Sequence, residues 1–317
     1  MTQALCLGEL LVDFVPTEAG LGVANTPLWQ RAAGGAPANV AVGLARLGVS
    51  SGFLGMVGAD AFGDFLAETL ATHHVDIQGL RRTEQARTAL AFVALQADGE
   101  RDFMFYRHPS ADMLFAPSDL DPQQFATAKL LHFGSLSASN ELGYQTTLRA
   151  IELAQTNNML LSFDPNLRAA LWPSLAAARS VMLKLLPYAQ IMKLSREEAE
   201  FLTELADPLA AAQSLWHARS QVIVVTDGSA GCWYQTAVGS GRIAAPTVQA
   251  IDATGAGDSF VACLLAQLIQ QPALANDQAD FEHALQRASI AGALATLVRG
   301  AIPGLPTAEQ IEQFLRA

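Results

Sequence analysis

Residues 251–265 read IDATGAGDSFVACLL, which places a tight Gly-Ala-Gly turn and a carboxylate at the start of an apolar helix. The first N–H groups of a helix have no partner within it, and the helix dipole adds roughly half a positive charge at that end. Gly255, Ala256 and Gly257 therefore predict an anion-binding turn suited to a phosphate, with Asp258 as a base beside it. The alternative is purely structural, a turn in which Asp258 only stabilises the first turn of the helix.

Outward from this turn, strand-like and helix-like segments alternate along most of the chain, as expected for a mostly parallel sheet with helices on both faces. We predict a single α/β domain over residues 1–317. The predicted strands are Ala4–Leu7, Gly52–Val57, Leu130–Phe133, Met159–Phe163, Ile191–Leu194 and Val222–Thr226. The predicted helices are Ala36–Leu47, Gly63–His73, Gly143–Gln155, Leu175–Leu185 and Arg196–Thr203.

Two stretches interrupt this alternation. Residues from Glu9 to Arg31 contain no predicted helix, and Thr88–Tyr106 reads as two strands joined by a turn at residues 97–100. Strands without crossover helices do not easily join a parallel sheet. We therefore expect a small projecting β-sheet, built from about residues 9–33 and 87–108, that forms a lid. Its exposed edges and apolar face favour pairing with a second copy, so we expect a homodimer through the lids.

The composition argues against several classes of function. The net charge is −11 and the pI is about 4.9, so the chain has no general electrostatic attraction for nucleic acid or an anionic membrane. Cys6, Cys232 and Cys263 are widely spaced in apolar surroundings, which predicts no disulfide or cysteine metal site and fits a cytoplasmic protein. We expect no signal peptide and no membrane span, and the six histidines form no metal-binding or catalytic-triad pattern.

Polar residues in the first forty positions form a second candidate group. Glu9 and Asp13 interrupt an apolar run, and on an unbroken strand their spacing of four would place them on one face. A bend at Gly8 would weaken this inference for Glu9, so Asp13 is the better candidate to hold sugar hydroxyls. In residues 33–40 (AGGAPANV), a Gly-Gly turn enters a helix whose first turn carries Asn39, which can bind hydroxyls or simply cap the helix.

Three further groups of polar residues follow predicted strands, where open α/β sheets place their ligand contacts. Residues 163–168 (FDPNLR) include Arg168, whose guanidinium suits a phosphate or a carboxylate. The alternative is that this segment forms only a structural turn. In residues 193–198 (KLSREE), Ser195 and Glu198 have the spacing of a capping box, although a carboxylate there can also hold water around Mg²⁺. Residues 225–231 (VTDGSAG) are glycine-rich and suit a nucleotide lying along the surface.

Two long segments resemble the signature motifs of the ribokinase-like (PfkB-type) carbohydrate kinases: AGGAPANVAVGLARLG at 33–48 and DATGAGDSFVACLL at 252–265. They occur in that family's order, and the resemblance extends over essentially the whole chain. Three shorter segments look most like the fructokinases of the family: GELLVDFVP at 8–16, RDFMFYRHPSADML at 101–114 and FDPNLRAALWP at 163–173.

The resemblance implies ATP-dependent phosphorylation of a primary sugar hydroxyl, with D-fructose as acceptor and fructose 6-phosphate as product. Asp258 would be the general base, and the amides of residues 255–258 would steady the transferring phosphoryl group. Asp13, Gly34, Gly35, Asn39 and Arg107 would contact the sugar. Arg168, Lys193, Ser195, Thr226, Gly228 and Gly231 would lie along the nucleotide. A 2-keto-3-deoxygluconate kinase, an aminoimidazole riboside kinase and a non-catalytic sugar sensor are the alternatives.

The resemblance also implies two metal sites. Many relatives carry Asn-x-x-Glu where this chain has Ser195 and Glu198, so the water network around Mg²⁺ differs here, with Glu198 as the expected contact through water. An activating monovalent cation such as K⁺ would be held mostly by backbone carbonyls. The expected residues are Asp252, Thr254, Ala295, Val298, Gly300 and Gly304.

Overall fold

The computed structural model describes residues 1–18, 20–95 and 101–316 of the chain. The predicted turn at residues 97–100 lies outside these ranges. The strands are β1 (Ala4–Leu7), β2 (Leu11–Pro16), β3 (Trp29–Gly34), β4 (Ser51–Gly58), β5 (Leu80–Thr83), β6 (Leu90–Leu95), β7 (Arg101–Tyr106), β8 (Leu130–Gly134), β9 (Leu160–Asp164), β10 (Ile191–Ser195), β11 (Val222–Thr226), β12 (Cys232–Thr236) and β13 (Ser240–Ile243). The helices are α1 (Ala36–Arg46), α2 (Ala61–Thr72), α3 (Pro122–Phe125), α4 (Glu141–Thr156), α5 (Leu175–Leu185), α6 (Arg196–Thr203), α7 (Pro208–Ser214), α8 (Ala256–Gln270), α9 (Gln278–Ala295), α10 (Ala301–Gly304) and α11 (Ala308–Arg316).

The large sheet has nine strands within the described ranges, in the order β13-β12-β11-β10-β9-β8-β1-β4-β5. All neighbours from β11 to β5 are parallel, and β12 and β13 add an antiparallel edge. Both faces are buried: Ala4 and Cys6 pack into one apolar cluster and Leu5 and Leu7 into another, because side chains alternate along a strand. The predicted α/β architecture is confirmed.

A separate four-stranded sheet has the order β3-β2-β6-β7. Strands β2 and β3 pair antiparallel, as do β6 and β7, whereas β2 and β6 are parallel. The two stretches that break the sequence alternation do form this small sheet. The segment from Leu5 to Val15 is not one strand, because β1 ends at Leu7 and β2 begins at Leu11 in the other sheet. The argument that Glu9 and Asp13 share a face of one strand therefore does not apply, since Glu9 lies between two strands.

Close packing of α1 against α8 brings two predicted site segments together. A Cβ atom on Gly43 would lie 2.6 Å from the Cβ atom of Ala262, so only glycine permits this helix separation. Asn39 and Asp258 lie four residues before these contact residues on their helices, on the same faces. Within the described residues, no helix combines the length and apolar character needed to cross a membrane.

Candidate active site

A cavity of about 620 Å³ opens between the small sheet and the carboxyl ends of the central strands. One face of the small sheet forms its roof, and the first turns of α1 and α8 form part of its walls. Apolar lining residues include Leu11, Val15, Val93, Phe105, Leu136 and Leu171. Polar lining residues include Glu9, Asp13, Asn39, Asp164, Asn166, Arg168, Lys193, Thr254 and Asp258.

The turn before α8 has the geometry expected of an anion site. Gly255 is the N-cap residue with φ of 81°, and no side chain caps this helix. The backbone N–H of Ala256 donates to the Ala253 carbonyl at 3.3 Å. Those of Gly255, Gly257 and Asp258 donate to no residue in the described part of the chain. Three of the four predicted amides are thus available to a ligand.

Asp258 faces this cavity and is held in place from α1. The side-chain amide of Asn39 donates to Asp258 Oδ2 at 2.8 Å. Burial raises the pKa of Asp258 to about 6, although the Asn39 hydrogen bond and the charges of Lys193 and Arg168 oppose the shift. Such a carboxyl is mostly ionised at neutral pH and is still basic enough to accept a proton.

Asp13 lines the cavity from β2, with the Gly34-Gly35 turn close beside it. A Cβ atom on Gly34 would lie 2.0 Å from Asp13 Oδ2, and one on Gly35 would lie 2.3 Å from the Glu9 carbonyl. Burial raises the pKa of Asp13 to about 7, with Glu9 and Asp258 adding to the shift and Arg168 opposing it. The glycines are therefore needed for the close approach of these two segments.

Glu9 also lines the cavity, although the sequence analysis favoured Asp13 over Glu9 as a ligand-binding residue. Its Oε1 atom accepts from the backbone N–H of Ala36, the first residue of α1, at 3.0 Å. Burial raises its pKa to about 7, while the charge of Arg107 opposes the shift and that of Asp112 adds to it. A lone acidic residue in an apolar run was the only signal, since the bend that turns it into the cavity is a tertiary feature.

Lys193 and Asp164 form an ion pair that the sequence did not predict. Lys193 Nζ lies 3.1 Å from Asp164 Oδ2, and both side chains are largely buried. Burial disfavours the charged form of Lys193, but Asp164, Glu198 and Asp258 outweigh it and hold its pKa above the ordinary value. A Cβ atom on Gly257 would lie 3.0 Å from Nζ, so the ammonium group borders the turn before α8. Arg168 is exposed and also lines the cavity.

The predicted nucleotide residues beyond Lys193 lie at the ends of β10 and β11. Ser195 and Glu198 form a capping box: Ser195 Oγ accepts from the Glu198 N–H, and Glu198 Oε2 accepts from the Ser195 N–H. Glu198 Oε1 also accepts from the Leu167 N–H at 2.7 Å. Thr226 ends β11, and Gly228 and Gly231 have φ of 47° and 96° in the following turn. These residues lie outside the cavity lining just described.

Arg107 does not line the cavity in this structure. Its Nε atom lies 2.8 Å from Asp112 Oδ2, and the side chains of both residues are about 95% buried or more. Its remaining nitrogens donate to Ser139 Oγ and to the Leu136 carbonyl. Arg107 therefore contacts the cavity wall only indirectly, through the backbone carbonyl of the lining residue Leu136.

The residues expected around a monovalent cation lie near the start of α8. Asp252 Oδ1 accepts from the Thr254 N–H, and Asp252 Oδ2 accepts from the Gly300 N–H at 2.9 Å. A Cβ atom on Gly304 would lie 2.4 Å from the Ala295 carbonyl, so these two segments are also in contact. Val298 is exposed. The segments predicted to meet are therefore neighbours, and both Asp252 oxygens already accept protein hydrogen bonds.

The pfkB family carbohydrate kinase model matches residues 1–308. The chain belongs to this family. A similar protein is probable fructokinase-6, chloroplastic, of Arabidopsis thaliana, which is 47% identical over 98% of this chain and 82% of its own length. This member of the pfkB family is accordingly a carbohydrate kinase.

Solved structures of the family superimpose closely on this pfkB kinase. Fructokinase from Xylella fastidiosa with bound ATP is 37% identical, covers 100% of this chain and 99% of its own, and has a TM-score of 0.91. A double mutant of fructokinase from Vibrio cholerae O395 in a fructose, ADP and potassium ion bound form is 34% identical over 99% and 98% of the two chains, with a TM-score of 0.88. The ribokinase-like fold is thus shared at high similarity.

Proposed function

We propose that this chain is a fructokinase, which transfers the γ-phosphoryl group of ATP to the primary hydroxyl of D-fructose. The observation that carries the proposal is the position of Asp258, whose carboxylate lies beside three N–H groups of the α8 turn that have no partner among the described residues. Asp13 and Asn39 line the same cavity. The names and bound ligands of the similar fructokinases support fructose as the acceptor.

In the proposed reaction, Asp258 accepts the proton of the sugar hydroxyl as the oxygen attacks the γ-phosphorus. A new oxygen–phosphorus bond forms, the bond to the bridging oxygen of ADP breaks, and fructose 6-phosphate and ADP result. The N–H groups of Gly255, Gly257 and Asp258, with the Lys193 ammonium group, stabilise the charge on the transferring group. The catalytic contribution is mainly positioning and electrostatic stabilisation, as expected for phosphoryl transfer.

The remaining roles follow the position of each residue. Asp13, Gly35 and Asn39 would bind the sugar because they line the cavity, together with Gly34, which lies against Asp13. The residues that would bind the nucleotide lie in the last part of β10 and β11 or in the segments that follow β9 and β11: Arg168, Lys193, Ser195, Thr226, Gly228 and Gly231. Closure of the small sheet, as a lid inserted in one domain, would exclude water from the phosphoryl donor.

We propose Mg²⁺ and a monovalent cation as the metal cofactors. Mg²⁺ bound with ATP neutralises phosphate charge and usually keeps several waters. Glu198 fits a contact through such a water better than direct ligation, because both of its oxygens already accept backbone hydrogen bonds. Asp252 is similarly engaged, so a K⁺ ion near residues 295–304 would take its ligands mainly from backbone carbonyls.

We further propose a homodimer that forms through the small sheet. The face of this sheet opposite the cavity carries Phe14 and Phe92, whose rings stack with centroids 4.8 Å apart. Tyr106 and Leu28 nearby are 58% and 63% exposed. Burying this apolar face against a second copy would remove it from water. Light scattering at micromolar concentration should give a dimer, and a Tyr106→Lys variant should shift it toward monomer. A monomeric wild-type protein contradicts this proposal.

A cytoplasmic location is also proposed. Cys6, Cys232 and Cys263 are all buried and unbridged, which suits a reducing compartment. Burial raises the pKa of Cys263 to about 12, so this thiol stays protonated and unreactive. Measuring the location of a tagged protein in its native cell tests this expectation, and recovery from an oxidising compartment contradicts it.

An ADP-release assay over a panel of acceptors tests the proposed activity. D-Fructose should give the highest kcat/KM, with fructose 6-phosphate as the product. A higher value for 2-keto-3-deoxygluconate or aminoimidazole riboside would replace fructose with that acceptor. Sugar binding without turnover of any acceptor would identify a sensor and overturn the kinase mechanism.

A further inference from the structure

The ion pair between Arg107 and Asp112 lies directly behind the wall of the sugar cavity. Arg107 follows Tyr106, the last residue of β7, and its guanidinium donates to the carbonyl of the lining residue Leu136 at 3.2 Å. The side chains of Arg107 and Asp112 are 5% and 3% exposed. This pair therefore belongs to the part of the protein that determines the charge felt inside the cavity.

Asp112 is the ion-pair partner of Arg107, and each nitrogen of the Arg107 guanidinium has an acceptor. Asp112 Oδ2 lies 2.8 Å from Arg107 Nε, and Ser110 Oγ donates to Asp112 Oδ1 at 2.5 Å. The other two nitrogens of Arg107 donate to Ser139 Oγ and to the Leu136 carbonyl. A guanidinium group in a buried ion pair has its charge offset by the carboxylate and is held in place by its hydrogen bonds. It is thus unavailable to a negatively charged ligand.

The charges of Arg107 and Asp112 both act on Glu9 in the adjacent cavity wall. Glu9 lines the cavity, and its carboxyl responds to Arg107 and to Asp112 with opposite signs. In a medium of low polarity these interactions extend over several ångströms. With Asp112 offsetting Arg107, the pair adds no net positive charge behind this wall, which Glu9 and Asp13 line. Such an environment accepts neutral hydroxyls and disfavours a carboxylate on the sugar.

We propose that Asp112 is a specificity-determining residue, which restricts the acceptor site to neutral sugars by neutralising Arg107. This inference rests on the proposed sugar kinase activity and adds the basis of its selectivity. Without the Asp112 charge, the buried positive charge of Arg107 would be uncompensated behind the cavity wall. Attraction of an anionic sugar follows from this charge even if Arg107 does not itself move.

The test compares kcat/KM for D-fructose and for 2-keto-3-deoxygluconate, a sugar acid, in Asp112→Asn. Asparagine keeps the size of the side chain. Its oxygen can still accept from Arg107 Nε, and its NH₂ group can donate to Ser110 Oγ, whose hydroxyl can donate to the Arg107 carbonyl instead, so the main loss is the charge. We expect the ratio of acid to fructose activity to rise at least about tenfold. Asp112→Ser is a second substitution that removes the same charge, and thermal unfolding of each variant identifies the folded ones.

Two controls separate this effect from a general change. The double variant Arg107→Met/Asp112→Asn lacks both charges and should return the ratio to the wild-type value. Glu152→Gln removes one negative charge from an exposed ion pair with Arg149 on α4 and should leave the ratio unchanged. A ratio within threefold of wild type in Asp112→Asn, or an equal rise in the double variant, would overturn the proposal. Lack of fructose turnover by the wild-type enzyme would instead refute the proposed fructokinase activity.

Discussion

The Asn39 side-chain amide donates to Asp258 Oδ2 at 2.8 Å across the contact between α1 and α8. This hydrogen bond joins the two sequence motifs, although the residues are 219 positions apart. It depends on the close approach of Gly43 to Ala262 one turn further along. The first turn of α1 thereby sets both the orientation and the basicity of the carboxylate next to the anion-binding turn.

Replacing Asp258 by Asn should abolish most of the turnover while leaving ligand binding largely intact. Asparagine has nearly the same shape but cannot accept the hydroxyl proton, and a general base contributes about two orders of magnitude or more. Steady-state kcat measures the loss, and calorimetric titration with fructose and with an ATP analogue checks that binding is retained. Turnover near the wild-type value would show that Asp258 is not the base.

The pH profile of kcat should respond to Asn39. With the pKa of Asp258 at about 6, wild-type activity should fall as the pH drops through that region, because the base becomes protonated. The Asn39 hydrogen bond favours the ionised carboxylate, so Asn39→Ala should raise this pKa and move the acid limb to higher pH. The position of the limb is the measurement, since the variant would also lose the proposed sugar contact. A limb that stays in place or moves to lower pH contradicts the predicted role of this bond.

Gly255→Ala should lower the activity of the enzyme through a steric clash, and Gly48→Ala serves as the control without that clash. Gly255 and Gly48 both have φ of 81°. A Cβ atom on Gly255 would lie 2.8 Å from Ala301 Cα, whereas one on Gly48 would meet no atom within 4 Å. Gly48→Ala should therefore cost only backbone strain, on the order of 1 kcal/mol, with activity retained. Gly255→Ala should lower kcat by tenfold or more, since the clash displaces the turn. Equal activity in the two variants would argue against an anion-binding turn.

Asp13→Asn should stabilise the free protein at pH 8 more than at pH 5. The pKa of Asp13 is raised to about 7 in the folded protein from an ordinary value of 3.8, so folding favours the protonated form. The stability of the wild type is therefore reduced by ionised Asp13 as the pH rises from about 4 to about 7, and the neutral amide avoids this loss. The difference in unfolding free energy, measured by urea titration, should be on the order of 1–3 kcal/mol larger at pH 8. An equal difference at both pH values would show that Asp13 ionises freely.

Several features were predictable because they depend on local sequence. The alternation of apolar segments predicted the parallel strands, and the absence of crossover helices predicted the small sheet. The two glycine-rich motifs predicted the turn at residues 255–258 and the turn that precedes α1. The spacing of Ser195 and Glu198 predicted their capping box, which forms as expected. In each case the pattern that predicts the element lies within a short stretch of the chain, although the strands themselves pair with distant ones.

The sequence by itself thus determined the fold class, the glycine turn at the start of α8 and the identity of the carboxylate beside it. Only the tertiary structure decided that Asn39 contacts Asp258, that Lys193 pairs with Asp164, and that Asp112 engages Arg107 behind the cavity. It also separated Glu9 from the strand that carries Asp13. The physical reason is that local patterns encode backbone conformation and burial, whereas the partner of a buried charge depends on which distant segments pack against it.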